Sequence, residues 1–172
     1  MWLSSPLYWI VVAIVLFWAL GAYNRLMRLR SAVVQAFGGF DAHMVRWMAL
    51  LGEFSAAQEL LIANDSSRDS AALQGASTQL GASLAVARAR PLQPDAVAAL
   101  TAARDVLQAT WHAATRGEPD SLWQTRWSEH SHQDALAVVV FNSAVEQYNA
   151  AIAQFPASLL ARVFGFRPAR GL

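Results

Sequence analysis

No charged side chain occurs from Met1 to Asn24, and the stretch from Leu7 to Tyr23 is almost wholly apolar. Few folds can take such a segment. Crossing ~30 Å of hydrocarbon as a helix needs ~20 residues, with ~17 as the lower limit, and this segment meets that requirement. Trp2, Tyr8 and Trp9 stand at one end, and Trp18 and Tyr23 towards the other, matching the preference of amphipathic rings for the two interfaces. Arg25, Arg28 and Arg30 follow at once. By the positive-inside rule they place the C-terminal side in the cytoplasm. A cleaved signal peptide is the competing reading, because Ala19-Leu20-Gly21 offers small residues where a peptidase cuts. Against it, the basic n-region is missing and the helical pattern runs through the cut. The sequence therefore predicts a transmembrane anchor over residues 1–24 and a single-pass chain.

Beyond the anchor the apolar positions follow helical spacing. Leu26, Leu29, Val33, Phe37, Phe40, Met44, Trp47, Leu51 and Phe54 form a seam in steps of three and four, with Leu61 two turns further on and an extra four, a stutter, at Val33–Phe37. This predicts one helix over about 25–63. Gly38-Gly39 lies inside it; two glycines cost ~2 kcal/mol relative to alanines, which points to close packing of another helix or to a hinge. Asn64 to Ser70 is polar and reads as a turn, and Asn64-Asp65-Ser66 also matches a glycosylation sequon, which capping residues in a turn explain equally. A second helix is predicted over about 71–90, with Leu73, Leu80, Leu84 and Ala87 inward, Gly75 and Gly81 allowing close approach, and Pro91 and Pro94 ending it. Asp95 is a candidate cap for a third helix over about 95–115, burying Val97, Leu100, Leu107 and Trp111. After a turn at Gly117-Glu118-Pro119-Asp120, a fourth runs over about 121–154 with the seam Val138, Phe141, Val145, Tyr148, Ile152, Phe155. No strand pattern survives. These lengths predict an all-α fold, in which the transmembrane helix continues into an elongated antiparallel four-helix bundle over 25–155, with Tyr148 and Phe155 returning towards Tyr23 and Leu26.

Residues 156–172 form a short amphipathic segment. Pro156 disfavours helix at Phe155 and suits the first turn of a new helix, while Gly165 suits its C-terminal cap. Leu159, Leu160, Val163 and Phe164 then share one side and Arg162 the other, with Phe166, Arg167 and Arg170 following. Such a segment either lies in the membrane interface or closes the bundle end against Leu26 and Leu29.

Two stretches carry a family resemblance. One is Tyr23-Asn24-Arg25-Leu26-Met27-Arg28-Leu29-Arg30 with Val33, Ala36-Phe37, Phe40-Asp41 and Arg46; the other is Phe141-Asn142, Val145, Tyr148-Asn149, Ile152, Phe155-Pro156, Leu159-Leu160-Ala161 and Phe164-Gly165-Phe166. Together they resemble the LemA family of bacterial membrane proteins over about half the chain. The middle departs from that family. Leu50-Leu51-Gly52-Glu53 stands where the family tends to have a Leu-Ile-Pro-Asn-like stretch, Val138-Val139-Val140 where it tends to have basic residues, and its usual Glu-Asn is lost. The resemblance implies a divergent member with an N-terminal helix in the bacterial inner membrane and a helical bundle, and no defined activity.

Composition narrows the chemistry. The net charge of +1 suggests no nucleic-acid partner. The absence of cysteine excludes disulfides, thiolate zinc sites and a cysteine nucleophile. His130 and His132 with Glu129 and Asp134 are the densest set of potential ligands, but only His130 and Asp134 have converging helical spacing, and two ligands do not make a zinc site. A solvated polar face is the expectation there, and a surface position for His43 and His112. No phosphate loop, dinucleotide fingerprint or nucleophile elbow is present, so no catalytic residue and no cofactor are assigned. The five glutamates include no Glu-x-x-His of the kind that bundle di-metal sites use. Asn24 and Asn149 each follow a tyrosine near the expected membrane end, which predicts a cross-helix amide hydrogen bond fixing register. Trp47, Trp111, Trp123 and Trp127 are expected in the core, with Trp127 a candidate for an exposed patch because Ser128, Glu129, His130 and Ser131 follow it. The sequence thus points to a non-enzymatic, membrane-tethered scaffold or interaction protein. Its partners are the lipid bilayer and a membrane or cytoplasmic protein, with self-association open. An exported soluble bundle is the alternative, as is a bundle with a weak metal or pH-sensing site.

Overall fold

A computed structural model of the chain describes residues 6–61, 67–116, 121–155 and 157–172. The sequon at Asn64-Asp65-Ser66, the turn Gly117–Asp120, the side chain of Leu61 and Pro156 lie outside the described residues. Within them the chain is all-α, with five helices: α1 Pro6–Leu61, α2 Ser67–Ala89, α3 Pro94–Ala114, α4 Leu122–Ala153 and α5 Ala157–Val163.

The apolar N-terminal segment and the first bundle helix are one element of 56 residues, about 84 Å long at the α-helical rise. Its two halves meet different surroundings. Leu7, Phe17 and Leu20 are 71%, 78% and 59% exposed, whereas Val33, Phe40 and Met44 are fully buried. The seam read from the sequence is the buried face: Leu26, Val33, Phe37, Phe40, Met44, Trp47, Leu51 and Phe54 lie in the core, joined by Leu50, while Leu29 is half-buried against it. Each large side chain so buried contributes about 1.5–3 kcal/mol relative to exposure.

Against this face lies α4. Phe37 meets Phe141, Trp47 meets Trp127 and Phe54 meets Trp123, with ring centroids 5.8, 4.5 and 5.6 Å apart. Residue numbers therefore rise along α1 as they fall along α4. On another side of α1 lies α2: Asp41 pairs with Arg88, and a methyl group at Gly81 would sit 3.6 Å from the Met48 sulfur. The chain then reverses over Arg90–Gln93 and α3 packs on α2. The inward residues expected for α2 and α3 are buried, as are Ala76, Ser83, Ala96, Ala103 and Thr115.

Several expectations need correction. Gly38 and Gly39 are exposed with no neighbour within 4 Å of either ideal Cβ position, so no helix packs closely there, and α1 runs through both without interruption. Ser67–Ser70, expected in a turn, already belong to α2. The cap residue of α3 is Gln93, not Asp95; Pro94 takes the first helical position and Asp95 sits in the first turn, where its charge favours the positive helix end. Phe155 leaves the α4 seam and is 79% exposed, because α4 ends at Ala153. Trp127 is not on an exposed patch. It is 3% exposed and lies between two other indoles, parallel to Trp111 at 4.3 Å and tilted against Trp47. The polar residues after it turn to the outer face of α4 while the ring points inward.

This layer makes a direct prediction. Trp127→Ala should destabilise the bundle by about 3–5 kcal/mol, whereas Phe155→Ala should stay within about 0.5 kcal/mol. Denaturant titration of both variants in detergent micelles, followed by tryptophan fluorescence, measures the two shifts.

Candidate functional site

Two regions bring chemistry-bearing side chains together. The first is at mid-bundle, one layer from the indole stack. Asp134 is 2% exposed, and its Oδ2 accepts from Arg104 Nε at 2.9 Å and lies 2.7 Å from Nη2. The guanidinium also lies over the Phe40 ring, 6.0 Å from its centroid. Helix spacing builds this arrangement, since Arg104 and Trp111 are seven apart on α3, Trp127 and Asp134 seven apart on α4, and His43 and Trp47 four apart on α1. Each pair shares one face. Burial pushes the Asp134 carboxyl above its ordinary value of 3.8, although Arg104 and His43 both favour its charge. Asp134 Oδ1, His43 Nδ1, Trp47 Nε1 and Trp111 Nε1 are buried without a hydrogen-bond partner among the described residues.

Asp134 therefore does not belong to a solvated face with His130, and His43 is half-buried rather than on the surface. His132 and His112 are exposed. Among the described residues no group of three or more His, Asp or Glu is placed to hold a metal ion. The Arg104–Asp134 pair was missed at the sequence level. The available signal was that Asp134 sits seven residues from Trp127 and seven from the buried Phe141.

The second region is at the end of the bundle where α1 enters it from its exposed apolar stretch, and it gathers most of the residues that carry the resemblance. Tyr23 contacts the rings of Phe164 and Phe166, at 5.1 and 6.2 Å. Gly165 has φ +71°; with it, Phe166 N–H donates to Ala161 C=O at 2.8 Å and closes α5, as a Schellman cap does. Ala161 is buried, whereas Leu159, Val163 and Phe164 are 56%, 78% and 58% exposed. Hence α5 docks through Ala161, with Leu160 half-buried, and leaves Leu159 and Val163 outside. Arg30 faces a hollow lined also by Pro91, Leu92 and Arg167.

After the cap, Phe166–Leu172 runs back along α4 without helix or strand. Asn149 Nδ2 donates to Ala169 C=O at 2.8 Å and its Oδ1 accepts from Ala169 N–H at 2.9 Å. Asn142 does the same with Leu172, at 3.1 and 2.8 Å. Tyr148 is buried and donates its hydroxyl to Arg167 C=O at 3.1 Å; burial raises its pKa above 10.0, which keeps the donor proton in place. The expected Asn24–Asn149 amide bond does not form: Asn149 bonds to Ala169 of the C-terminal segment and Asn24 is exposed. Asp41 serves in the ion pair with Arg88, at 2.7 Å.

α1 is the described helix long and apolar enough to cross a membrane, and none of its apolar window is buried inside the protein. No family model, curated protein or solved structure matches the chain.

A pH dependence follows from Asp134. Its folded-state pKa lies above 3.8, so its contribution to stability is fully present below pH 3.8 and is lost as pH rises through the folded value. Asp134→Asn cannot titrate. Across that window the melting temperature of the wild type should fall relative to that of the variant. A wild type that gains on the variant as pH rises would mean that attraction to Arg104 outweighs burial.

Proposed function

We propose that this chain is a non-enzymatic, membrane-anchored helical scaffold or interaction protein, similar to the LemA family and resident in a bacterial inner membrane. In this reading α1 crosses the bilayer once and continues into an elongated antiparallel four-helix bundle on the cytoplasmic side. The observation that carries it is the continuity of α1, whose N-terminal third exposes apolar residues on all sides while the rest forms the core seam. A water-soluble helix exposes polar residues where it meets no other part of the protein; a helix apolar all round suits hydrocarbon. The rings of Trp9, Trp18 and Tyr23 and the arginines after them fit the two boundaries of such a span. From Tyr23 the rod extends α1 by about 57 Å to Leu61.

The exposed side chains of Phe155, Leu159, Val163 and Phe164 form a collar at the level where α1 leaves the bilayer. With Arg162, Arg167 and Arg170 nearby, the collar suits the interface, where each arginine adds about 1 kcal/mol of attraction to an anionic surface. In this reading Ala161 and Phe166 close the bundle end, while Leu159, Val163 and Phe164 face lipid. At mid-bundle Arg104 and Asp134 are engaged with each other, an arrangement a scaffold accommodates.

Topology and collar are tested separately. Carbonate extraction should leave the full chain in the membrane fraction, and a fluorescent protein fused after Leu172 should fluoresce while alkaline phosphatase there stays inactive. The opposite reporter pattern would reverse the orientation, and a mature chain starting at Ala22 would make it an exported protein instead. Because the chain has no cysteine, Leu159→Cys carries a single polarity-sensitive dye. Its emission should shift to the blue in anionic proteoliposomes relative to the same dye at Ser128→Cys, and equal spectra would remove α5 from the interface.

A further inference from the structure

The segment Phe166–Leu172 is held along α4 entirely by side chains. Among the described residues its hydrogen bonds to α4 come from Asn142, Tyr148 and Asn149, and none is backbone to backbone. A carboxamide presents the same N–H and C=O pair as a peptide group, so each asparagine closes a two-bond ring with one residue of the segment. The geometry of the two rings matches. Asn142 and Asn149 are seven residues apart, two helical turns, which puts them on one face about 10.5 Å apart. Their partners Ala169 and Leu172 are three residues apart. A chain presents residues i and i+3 to the same side in the polyproline II helix, which repeats every 3 residues and rises about 9.3 Å in doing so. A flat strand with its period of two would turn one of them away. Pro168 lies between the Tyr148 and Asn149 contacts, and proline favours that conformation.

Side chains of the segment are also selected. Ala169 is 7% exposed, so a larger residue has no room there. A Cβ at Gly171 would come within 2.5 Å of Asn142 Oδ1 and 3.1 Å of its Cγ, so any side chain at that position displaces the amide that holds Leu172. Arg167, Pro168 and Arg170 point outward and are exposed. The strip therefore recognises an extended backbone with a small residue, any residue, glycine and then leucine.

We propose that this face of α4 is a peptide-binding site for an extended, polyproline II segment of that pattern. Phe166–Leu172 is its resident occupant, and the occupant taken in trans is the same segment of a second copy. The pattern is this chain's own, which favours a second copy over another protein. Exchange remakes every bond between the strip and the segment and changes which chain supplies it, the usual low-barrier route to a dimer, at the cost of the Phe166 contacts with Ala161 and Tyr23. The link that must reorient is short, since the segment leaves α5 at Gly165, whose φ is already positive. That copies meet side by side in a bilayer rests on the anchor proposed above; the binding site does not.

The test uses full-length protein in detergent micelles, so that its failure and failure of the membrane reading are distinguishable. Gly171→Val expels the resident segment and keeps the site. The double variant Asn142→Leu with Asn149→Leu breaks the site and keeps the segment. A dye-labelled peptide with the sequence of Phe166–Leu172 should bind the first variant at least about tenfold more tightly than the second, and the same peptide with valine for glycine should not bind. Differently tagged copies of the two variants should co-purify when mixed, while neither associates with itself. Absence of peptide binding by a folded Gly171→Val protein overturns the site, and peptide binding without co-purification overturns the second copy as its occupant. Should Gly171→Val fail to fold, hydrogen exchange on the wild type decides. The amides of Ala169 and Leu172 should exchange by local opening while α4 stays protected; exchange only through global unfolding would make the segment a fixed part of the bundle and end the proposal.

Discussion

The arrangement of this protein depends on α1 remaining helical through two surroundings. Where its apolar residues are exposed, in the proposed bilayer, no water would satisfy a freed peptide group, so the backbone has to bond to itself. Where its seam enters the bundle, burial of Val33, Phe40, Met44 and Trp47 stabilises the helix by several times the ~2 kcal/mol that Gly38-Gly39 cost it. Interruption at the boundary would uncouple the two halves. Instead one element fixes the height and rotation of everything that packs on it: α4 along its aromatic face, α2 through Met48 and Asp41, and α5 through Tyr23.

α3 reaches α1 and α4 only through long side chains, its backbone standing off from both. Among the described residues no α-carbon of α3 comes within 8 Å of one in α4, and the gap is filled by long side chains. The parallel rings of Trp111 and Trp127, the Arg104–Asp134 pair, and Gln124 donating to Thr115 Oγ1 at 2.6 Å span it. Large flat rings supply area and a preferred stacking geometry at once, whereas an ion pair at this depth adds little net stability, since desolvation offsets most of the attraction. Its consequence is discrimination. With the pair one layer from the indoles, sliding α4 by a turn would leave both a charge and a ring unmatched. Stability and register are thus assigned to adjacent layers of one helix face.

Periodicity made the helices and their buried faces legible, because a seam of threes and fours over many turns has few other solutions. It also made the C-terminal helix and its glycine cap legible, since proline and glycine act on their own backbone. What periodicity could not show is which polar residues share the apolar face. Asp134 reads as one more polar residue after Ser128, Glu129 and His130, and its burial depends on an arginine 30 positions earlier on another helix. Trp127 is in the core as its residue type predicts, and the alternative of an exposed patch falls for the same reason: its neighbours in sequence face outward and say nothing about the indoles of α1 and α3 that receive it. The Tyr-Asn pairs of the family resemblance drew attention to Asn149 correctly and supplied the wrong partner. An amide's partner is whichever backbone comes within 3 Å, and an irregular segment leaves no periodic trace of where it will lie.

That segment ties two levels of the molecule together. α5 meets α1 at Tyr23, where the helix leaves its apolar span, and Phe166–Leu172 meets α4 as far along as Asn142. Gly165 and Phe166 alone separate the α5 cap from the first α4 contact at Arg167. A shift of α5 therefore reaches the asparagine rings with little slack to absorb it. Each ring is a pair of neutral hydrogen bonds, individually worth about 1 kcal/mol against water, and half of the segment is open to solvent. An attachment of that strength holds at rest and yields to a modest pull. If α5 sits in a lipid interface, the occupancy of the α4 strip becomes a function of how deeply the proposed collar is seated.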